Sequence, residues 1–219
     1  MNIKTEGLVE IVGKKGTAKT TFAYTKLKNK KSIIYHTQKV SIKKILTILN
    51  EPKNINELKC LHIKSTCTHC KCLDNIYLKF VNTFESLYFS IMYQIELFII
   101  NKSIKIILID IFDALVLDKN RENSIYKDIY IVLNKLRHLL DKYRLEIYII
   151  NEFGSYLNNQ YTNIYLGFNW DYYINTRLYF SKVLDRRYVQ IISNVFHINE
   201  KISFRFDENG IPTQSKIII

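Results

Sequence analysis

A glycine-containing segment at residues 13–21 constrains the fold of this chain more than any other feature. It follows the apolar run 8–12 and precedes a stretch, 22–28, that can be helical. A strand, a loop and a helix in this order form the setting of a phosphate-binding loop, whose backbone N–H groups and following helix hold phosphates. The predicted nucleotide-binding residues are Gly13, Lys14, Lys15, Gly16, Thr17, Ala18, Lys19, Thr20 and Thr21.

Two residues of this loop have expected roles, and a third departs from the pattern G-x-x-x-x-G-K-[ST]. Lys19 would reach the β- and γ-phosphates, and the Thr20 hydroxyl would ligate Mg²⁺. Ala18 stands at the place of the last glycine. Because glycine alone visits all backbone regions freely, a Cβ there limits how closely the loop can wrap the phosphates. We expect a weakened phosphate loop, and the competing interpretation is a lysine-rich turn before a helix.

The hydrophobic pattern alternates between strands and helices over most of the chain. The expected strands after the first are 31–36, 75–81, 104–110 and 145–151. The expected helices after the loop are 42–49, 83–99 and 125–140, the second of them buried. This alternation is typical of a mostly parallel sheet with helices on both faces. Short β-rich runs at 177–181, 187–193 and 202–206 are expected to extend one sheet edge as hairpins, before a turn at 207–210 and a polar tail.

Length, composition and charge bound the class of protein. A chain of 219 residues with 47% hydrophobic residues is most simply one domain with a large core. Its net charge of +12 favours a nucleic acid or another polyanion as partner, although a general abundance of lysine weakens that argument. Neither a signal peptide nor an apolar run long enough to cross a bilayer is visible, so we expect an intracellular protein with no membrane partner.

An aspartate ends the apolar run Ile106-Ile107-Leu108-Ile109-Asp110. In a phosphate-loop protein, an acid at the carboxyl end of a neighbouring strand holds Mg²⁺, because ligands gather at that edge of the sheet. Asp110 is therefore the expected partner of Thr20 in a magnesium site, and Asp113 is the second choice.

Ordered motifs lie along nearly the whole chain and together resemble one family. They are EGLVEIVG at 6–13 with the loop, LDNIY at 73–77, ILID at 107–110, IIN at 149–151, LGFNW at 166–170, NTRLYFSK at 175–182 and FRFDENG at 204–210. In this order they resemble the RecA-type recombinases of eukaryotes, and more closely the paralogues that assist strand exchange. The motif at 175–182, similar to a late strand of that family, is the most specific.

The resemblance implies a fold, cofactors, partners and a location. It implies a RecA-like ATPase core over 1–219 with C-terminal β-hairpins, ATP and Mg²⁺ as cofactors, and a nuclear protein. It also implies recombinase and recombinase-paralogue subunits as partners and single-stranded DNA as a ligand, in homologous recombination and double-strand break repair. We expect the family's N-terminal helical domain to be absent, which favours an accessory subunit over a filament-forming recombinase.

Two positions depart from what the resemblance implies for catalysis. Gln38 aligns with the glutamate that polarises the attacking water, and a neutral amide cannot accept the proton of that water. Glu152 aligns with the glutamine that senses the γ-phosphate, and an acid there would repel the triphosphate. We therefore expect ATP binding with weak or no hydrolysis, unless the alignment near Gln38 slips by one or two residues.

The segment that contacts DNA in the family corresponds to 151–166, which contains no Lys or Arg. Its aromatic residues, which could stack on bases, are Phe153, Tyr156, Tyr161 and Tyr165. Phosphate contacts dominate the affinity for DNA. We therefore expect DNA contact through Lys119, Arg121 and the N-terminal lysines, whose other interpretation is a solvated lysine surface.

A cluster of thiols and imidazoles lies in an expected variable insertion, 51–73. The four cysteines of the chain are Cys60, Cys67, Cys70 and Cys72, and they alternate with His62 and His69. Such spacing can hold tetrahedral Zn²⁺. The alternative is free thiols in a variable loop, and a disulfide is disfavoured in an intracellular protein.

Three other functions stay open at this point. The first is an active DNA-dependent ATPase of the RecA family, in which Glu152 or Asp113 acts as the base. The second is a P-loop nucleotide kinase, against which stand the motif at 175–182 and the lack of an arginine-rich lid. The third is an interaction protein whose nucleotide pocket no longer works.

Overall fold

The computed structural model describes residues 3, 5, 7–49, 75–117, 123–152, 155–157, 160–162, 166, 169–184, 186–193, 198–206 and 212–218. The strands in chain order are β1 (Leu8–Val12), β2 (Ser32–His36), β3 (Ile76–Phe80), β4 (Ile106–Asp110), β5 (Glu146–Asn151), β6 (Ser155–Leu157), β7 (Gln160–Thr162), β8 (Thr176–Val183), β9 (Arg186–Ser193), β10 (Ile198–Phe206) and β11 (Pro212–Ile218). The helices are α1 (Lys19–Thr25), α2 (Ile42–Leu49), α3 (Phe84–Phe89), α4 (Ile95–Lys102), α5 (Phe112–Leu117), α6 (Asn123–Tyr143) and α7 (Trp170–Tyr173), and a π-helical turn, Ser90–Gln94, joins α3 to α4.

Nine of the described strands form one sheet in the order β11-β10-β9-β8-β1-β5-β4-β2-β3, while β6 and β7 pair with each other. The strands from β8 to β3 in this order run parallel, and β8, β9, β10 and β11 pair in antiparallel fashion. The prediction of an α/β fold with a mostly parallel sheet is confirmed, as is the extension of one edge by the late strands. The carboxyl ends of β1, β5, β4 and β2 consequently meet at one edge of the sheet, next to the phosphate loop.

The sheet is buried on both faces because its parallel strands alternate apolar side chains between two cores. Ile107 and Ile109 of β4 belong to a cluster that α3, α4, α5, α6 and α7 cover. Ile106 and Leu108 belong to the opposite cluster, which α1 and α2 cover together with Phe180 and Phe204 of the antiparallel strands. Helices therefore lie on both faces, as the alternation of strands and helices predicts.

The helical run after β3 differs from the expected buried helix. The π-helical turn interrupts it, and four large apolar side chains are more than half exposed: Phe89, Tyr93, Leu97 and Ile100. The run itself carries apolar side chains on every side of the helix. Only one side packs on the sheet, so the apolar side chains on the other sides lie in solvent. The expectation of a buried helix is correct for Leu87, Ile91 and Ile95 and wrong for the outward side.

The expectation of a polar tail after residue 210 is also wrong. Residues 212–218 form β11, which pairs with β10 from Phe206 opposite Pro212 to Lys201 opposite Ile218. Three isoleucines end the chain, and β-branched residues fit a strand. Pro212 is tolerated because proline can begin an edge strand.

No helix in the described part of the chain is long and apolar enough to cross a membrane. The expected insertion at 51–73 and the turn at 207–210 lie outside the described residues.

Candidate functional site

The phosphate loop leaves the carboxyl end of β1 and enters α1 with Lys19 as the first helical residue. The Lys19 side chain is buried, and its Nζ donates to the carbonyl oxygens of Gly13 and Lys14, the latter at 3.0 Å. Burial lowers the pKa of Lys19, while the carboxylates of Glu152, Asp113 and Asp110 act to raise it. The ammonium group is thus held at the centre of the loop by backbone oxygens that a phosphate could replace.

Ala18 adopts the backbone conformation that the missing glycine would have supplied. Its φ and ψ of 86° and 14° lie in the left-handed region, and its carbonyl oxygen accepts from the N–H of Phe22 at 2.9 Å. This conformation costs a residue with a Cβ roughly 1–2 kcal/mol. The loop therefore keeps a glycine-like path at Ala18, and α1 begins three residues before the predicted 22–28.

Gly13 cannot carry a side chain because a neighbouring strand approaches it. Its φ is 148°, and a Cβ added there would lie 2.1 Å from the carbonyl oxygen of Phe180 on β8. β8 pairs with β1 up to Val12 opposite Tyr179. The backbone of β8 at Phe180 therefore packs directly against the start of the phosphate loop.

A cavity of about 410 Å³ lies over the loop and collects the predicted site residues. Its lining residues are Lys15, Gly16, Thr17, Ala18, Lys19, Thr20, Thr21, Tyr24, Thr37, Gln38, Lys39, Val40, Ser41, Lys44, Asp110, Ile111, Glu152 and Phe206. Four lysines surround this space, which suits a polyanion: Lys15, Lys19, Lys39 and Lys44. The fold thus brings together seven of the nine loop residues with Gln38, Asp110 and Glu152.

Asp110 lies at the carboxyl end of β4 with an unusual environment for a carboxylate. Its Oδ1 is buried and has no hydrogen-bond partner among the described residues. Burial, together with the Glu152 carboxylate, raises the pKa of Asp110 to about 6, although Lys19 and Lys44 act to lower it. The next residue, Ile111, is buried with φ 64°, a region that β-branched residues rarely adopt. A carboxylate in this state, beside the Thr20 hydroxyl in one cavity, has the oxygen ligands that Mg²⁺ prefers.

Two hydrogen bonds that involve Asp113 fix the backbone at Glu152, next to the loop. The N–H of Glu152 donates to Oδ2 of Asp113 at 2.9 Å, and the N–H of Asp113 donates to Oδ1 of Asn151 at 3.1 Å. Asp113 is fully buried and is not among the described residues that line the cavity. Of these two acids, Glu152 is therefore the one that faces a bound ligand.

Gln38 lies two residues beyond β2, at the rim of the cavity. Gln38 is exposed, and its backbone carbonyl oxygen lies 2.9 Å from Nδ1 of His36. The end of β2 is next to the end of β4, with His36 opposite Asp110. This position is one from which an amide could contact a ligand on the loop.

A buried charged network, which was not predicted from the sequence, lies around Glu10 of β1. Glu10 is fully buried; its Oε1 accepts from Nδ2 of Asn151 at 2.6 Å and Nε1 of Trp170 at 3.1 Å. Its Oε2 accepts from Nε of Arg177 at 2.6 Å, and Nη2 of Arg177 donates to Oδ1 of Asp171 at 2.6 Å. Burial acts to lower the pKa of Arg177, but these two carboxylates outweigh it and raise the pKa above its ordinary value.

A signal for this network was present in the sequence. Glu10 is a charged residue inside an apolar strand, and such a residue needs a partner when it is buried. Its partners fall in three of the motifs, 149–151, 166–170 and 175–182, but local pattern does not reveal which residues meet across the sheet.

Several predicted residues lie outside the described part of the chain. They are Cys60, His62, Cys67, His69, Cys70 and Cys72 of the proposed zinc cluster, and Lys119, Arg121, Phe153 and Tyr165 of the proposed DNA contacts. Within the described residues, no group of three or more His, Cys, Asp or Glu side chains is placed to hold a metal ion. That finding does not bear on the cysteine cluster, which stays a prediction.

Comparison with known proteins does not assign the chain to a family. No protein-family model matches the sequence, and no curated protein matches it. Functional inference therefore rests on the residues and their arrangement.

Proposed function

We propose that this chain is an ATP-binding accessory protein with a RecA-like core, which holds Mg²⁺-ATP in the phosphate loop and hydrolyses it weakly or not at all. One observation carries the proposal: Lys19, Thr20 and Asp110 line one cavity at the carboxyl edge of a parallel sheet. Phosphate-loop proteins use a lysine, a hydroxyl and an acid in this setting. The antiparallel strands β8 to β11 agree with the C-terminal hairpins that the motif resemblance implies.

The residues present fit a magnesium-bound triphosphate. Asp110, with a buried oxygen that lacks a described partner, and Thr20 would hold Mg²⁺. When bound, Mg²⁺ neutralises negative charge on the phosphates. Without a ligand, the buried Lys19 ammonium donates to two backbone carbonyl oxygens. With a triphosphate bound, it would donate to phosphate oxygens instead, so it would have hydrogen-bond acceptors in both states.

Two features of the cavity support weak hydrolysis. Gln38 can orient a water molecule with its amide, but it cannot take the proton. The Glu152 carboxylate shares the space with the phosphates and would raise the free energy of a bound triphosphate by repulsion.

An active DNA-dependent ATPase is the second candidate, because Glu152 lies in the cavity and could serve as the base. The Asp113 carboxylate accepts a hydrogen bond from the backbone N–H of Glu152, and this contact fixes the position of the Glu152 backbone relative to the loop. Turnover separates this candidate from the first.

The proposal also includes a role in recombination. We propose that the chain works in the nucleus with recombinase-type subunits and single-stranded DNA in double-strand break repair. The net charge of +12 and the ordered motifs, above all that at 175–182, support this part.

The test is a titration of a fluorescent ATP analogue with Mg²⁺, followed by ATP turnover with and without single-stranded DNA. We expect Lys19→Ala to weaken binding at least about a hundredfold, because it removes a buried charge-assisted contact to the phosphates. Lys28→Ala, which changes an exposed lysine just after α1, should bind like the wild type.

Binding that depends on Lys19, with turnover near background, would support the accessory protein. Turnover that rises with single-stranded DNA and disappears in Glu152→Ala would favour the active ATPase. Equal binding by the wild type and Lys19→Ala would contradict both candidates.

A further inference from the structure

A second groove, of about 500 Å³, adjoins the cavity over the phosphate loop. It is lined by Thr21, Ser41, Lys43, Lys44, Thr47, Ile48 and Phe206. Thr21, Ser41, Lys44 and Phe206 line both spaces, so the two meet along these residues. A ligand fixed by its phosphates on the loop could therefore extend into the groove without leaving the surface of the protein.

The Phe206 ring is held rigidly at this junction. It is the last residue of β10, is half-buried, and meets the Phe204 ring edge to face at a centroid distance of 6.1 Å. The guanidinium carbon of Arg187 on β9 lies 4.6 Å from the Phe206 centroid. Arg187 is not among the described residues that line either space, so it supports the ring from outside the two cavities.

The guanidinium group of Arg187 contacts Phe206 through a cation–π interaction. Its Nε is buried and has no hydrogen-bond partner among the described residues. A cation over an aromatic ring attracts it, so Arg187 stabilises this position of the Phe206 ring. Phe206 therefore presents a preorganised aromatic surface, and preorganisation reduces the entropy lost when a ligand binds.

The chemistry of the two spaces differs in a way that would orient a nucleotide. Lys15, Lys19 and Lys39 belong only to the phosphate-loop cavity. The groove also has lysines in its lining, Lys43 and Lys44, but its exposed wall is mainly apolar, and Ile48 lines it together with Phe206. Polyanionic phosphates favour the lysines, and a flat, weakly polar base favours an aromatic and an aliphatic side chain.

We propose that Phe206 stacks on the base of the bound nucleoside triphosphate, which would lie in the groove against Ile48. This assignment rests on the proposed function, since it needs the phosphates to occupy the loop. It makes Phe206 a residue that distinguishes a nucleotide from a bare polyphosphate, although Phe206 lies at the far end of the chain from the phosphate loop.

The test compares two ligands by isothermal titration calorimetry, Mg²⁺-ATP and magnesium tripolyphosphate. We expect Phe206→Leu to weaken ATP binding about tenfold, because one base–aromatic stack is lost, and to leave tripolyphosphate binding unchanged. Phe206→Trp should retain ATP binding. Phe89→Leu, the same substitution at an exposed ring on α3, should change neither affinity.

A Phe206→Leu variant that binds ATP as tightly as the wild type would overturn the assignment while leaving the phosphate loop intact. An equal loss for both ligands would also overturn it, since the residue would then act on the fold or the loop. Failure of the wild type to bind either ligand would instead overturn the proposed function.

Discussion

Glu10, a fully buried carboxylate, and Asp110, a half-buried one, lie two strands apart in one sheet, and their surroundings are opposite. Glu10, in the middle of β1, accepts hydrogen bonds on both oxygens from Arg177, Asn151 and Trp170. Asp110, at the end of β4, has a buried oxygen without a described partner and a pKa of about 6. Burial desolvates both carboxylates, and among the described residues both Glu10 oxygens have hydrogen-bond donors whereas Asp110 Oδ1 has none.

Under the proposed function, the difference separates a carboxylate that stabilises the fold, Glu10, from one that would bind a ligand, Asp110. Glu10 joins β1 to β8, β5 and α7, so its removal should act on stability. Asp110 destabilises the ligand-free protein and lines the cavity, so its removal should act in the opposite direction on stability and abolish a binding contribution. Substitutions at the two positions should therefore differ in sign.

The largest expected effect follows from breaking the Glu10 network with Arg177→Met. This change leaves the buried Glu10 carboxylate without its cation, and it should lower the free energy of unfolding by about 3–5 kcal/mol. Urea denaturation at pH 7 measures it. Lys30→Met breaks the half-exposed pair of Lys30 with Glu146 and should cost less than about 1 kcal/mol. Similar losses for both variants would contradict the comparison.

Asp110→Asn should raise the free energy of unfolding of the ligand-free protein by roughly 2 kcal/mol at pH 7. The folded pKa of about 6 lies above the ordinary value of 3.8, so the folded state holds this proton more tightly than the unfolded chain. Stability contributed by Asp110 therefore falls as the pH rises from about 4 to 6, and the deficit is complete above 6.

Urea denaturation of the wild type and Asp110→Asn at pH 4 and pH 7 tests this expectation. The gain in Asp110→Asn should shrink at pH 4, where the carboxyl is protonated in the folded wild type. A gain of the same size at both pH values would show that charge burial is not its cause. The same variant should lose the part of ATP binding that depends on Mg²⁺.

Glu152→Gln should give the smallest effect and sharpen the electrostatic side of the comparison. Removing this carboxylate takes a like charge away from the phosphates, so the affinity for Mg²⁺-ATP should rise by about 1 kcal/mol. Titration calorimetry measures the change, and Asp141→Asn on the exposed surface of α6 is the matched control. A lower affinity would mean that Glu152 takes part in holding the ligand.

The local part of the fold could be predicted because local pattern determines it. β4 and β5 are apolar runs that end in a polar residue, β1 is a largely apolar run before a glycine, and α6 repeats its apolar residues at helical spacing. Asp110 could be predicted for the same reason, since a single apolar strand with a terminal acid is visible without knowledge of the rest. The π-helical turn at Ser90–Gln94 could not, because its residues have the same apolar character as the helix around them.

The nonlocal part of the site could not be predicted in the same way. Arg177 and Trp170 meet Glu10 from more than 150 residues along the chain, and only the order of strands in the sheet brings them together. Phe206, on β10, comes to the cavity over the phosphate loop through two antiparallel pairings, β8 with β9 and β9 with β10. Asp110 and Lys19 can thus be recognised within short segments of sequence. The Glu10 network and the position of Phe206 depend on the order of the strands in the sheet.

The central place of β1 in the sheet has a consequence for how the chain folds during synthesis. β1 is made before both of its neighbours, β5 and β8, with Leu8 opposite Ile147 and Val9 opposite Thr176. The strand before the phosphate loop must therefore stay without its sheet partners until Ile147, 139 residues after Leu8, has been synthesised. Pairings of such large sequence separation fold slowly and expose apolar edges to aggregation. The strand that leads into the loop at 13–21 is consequently translated well before the two strands that enclose it.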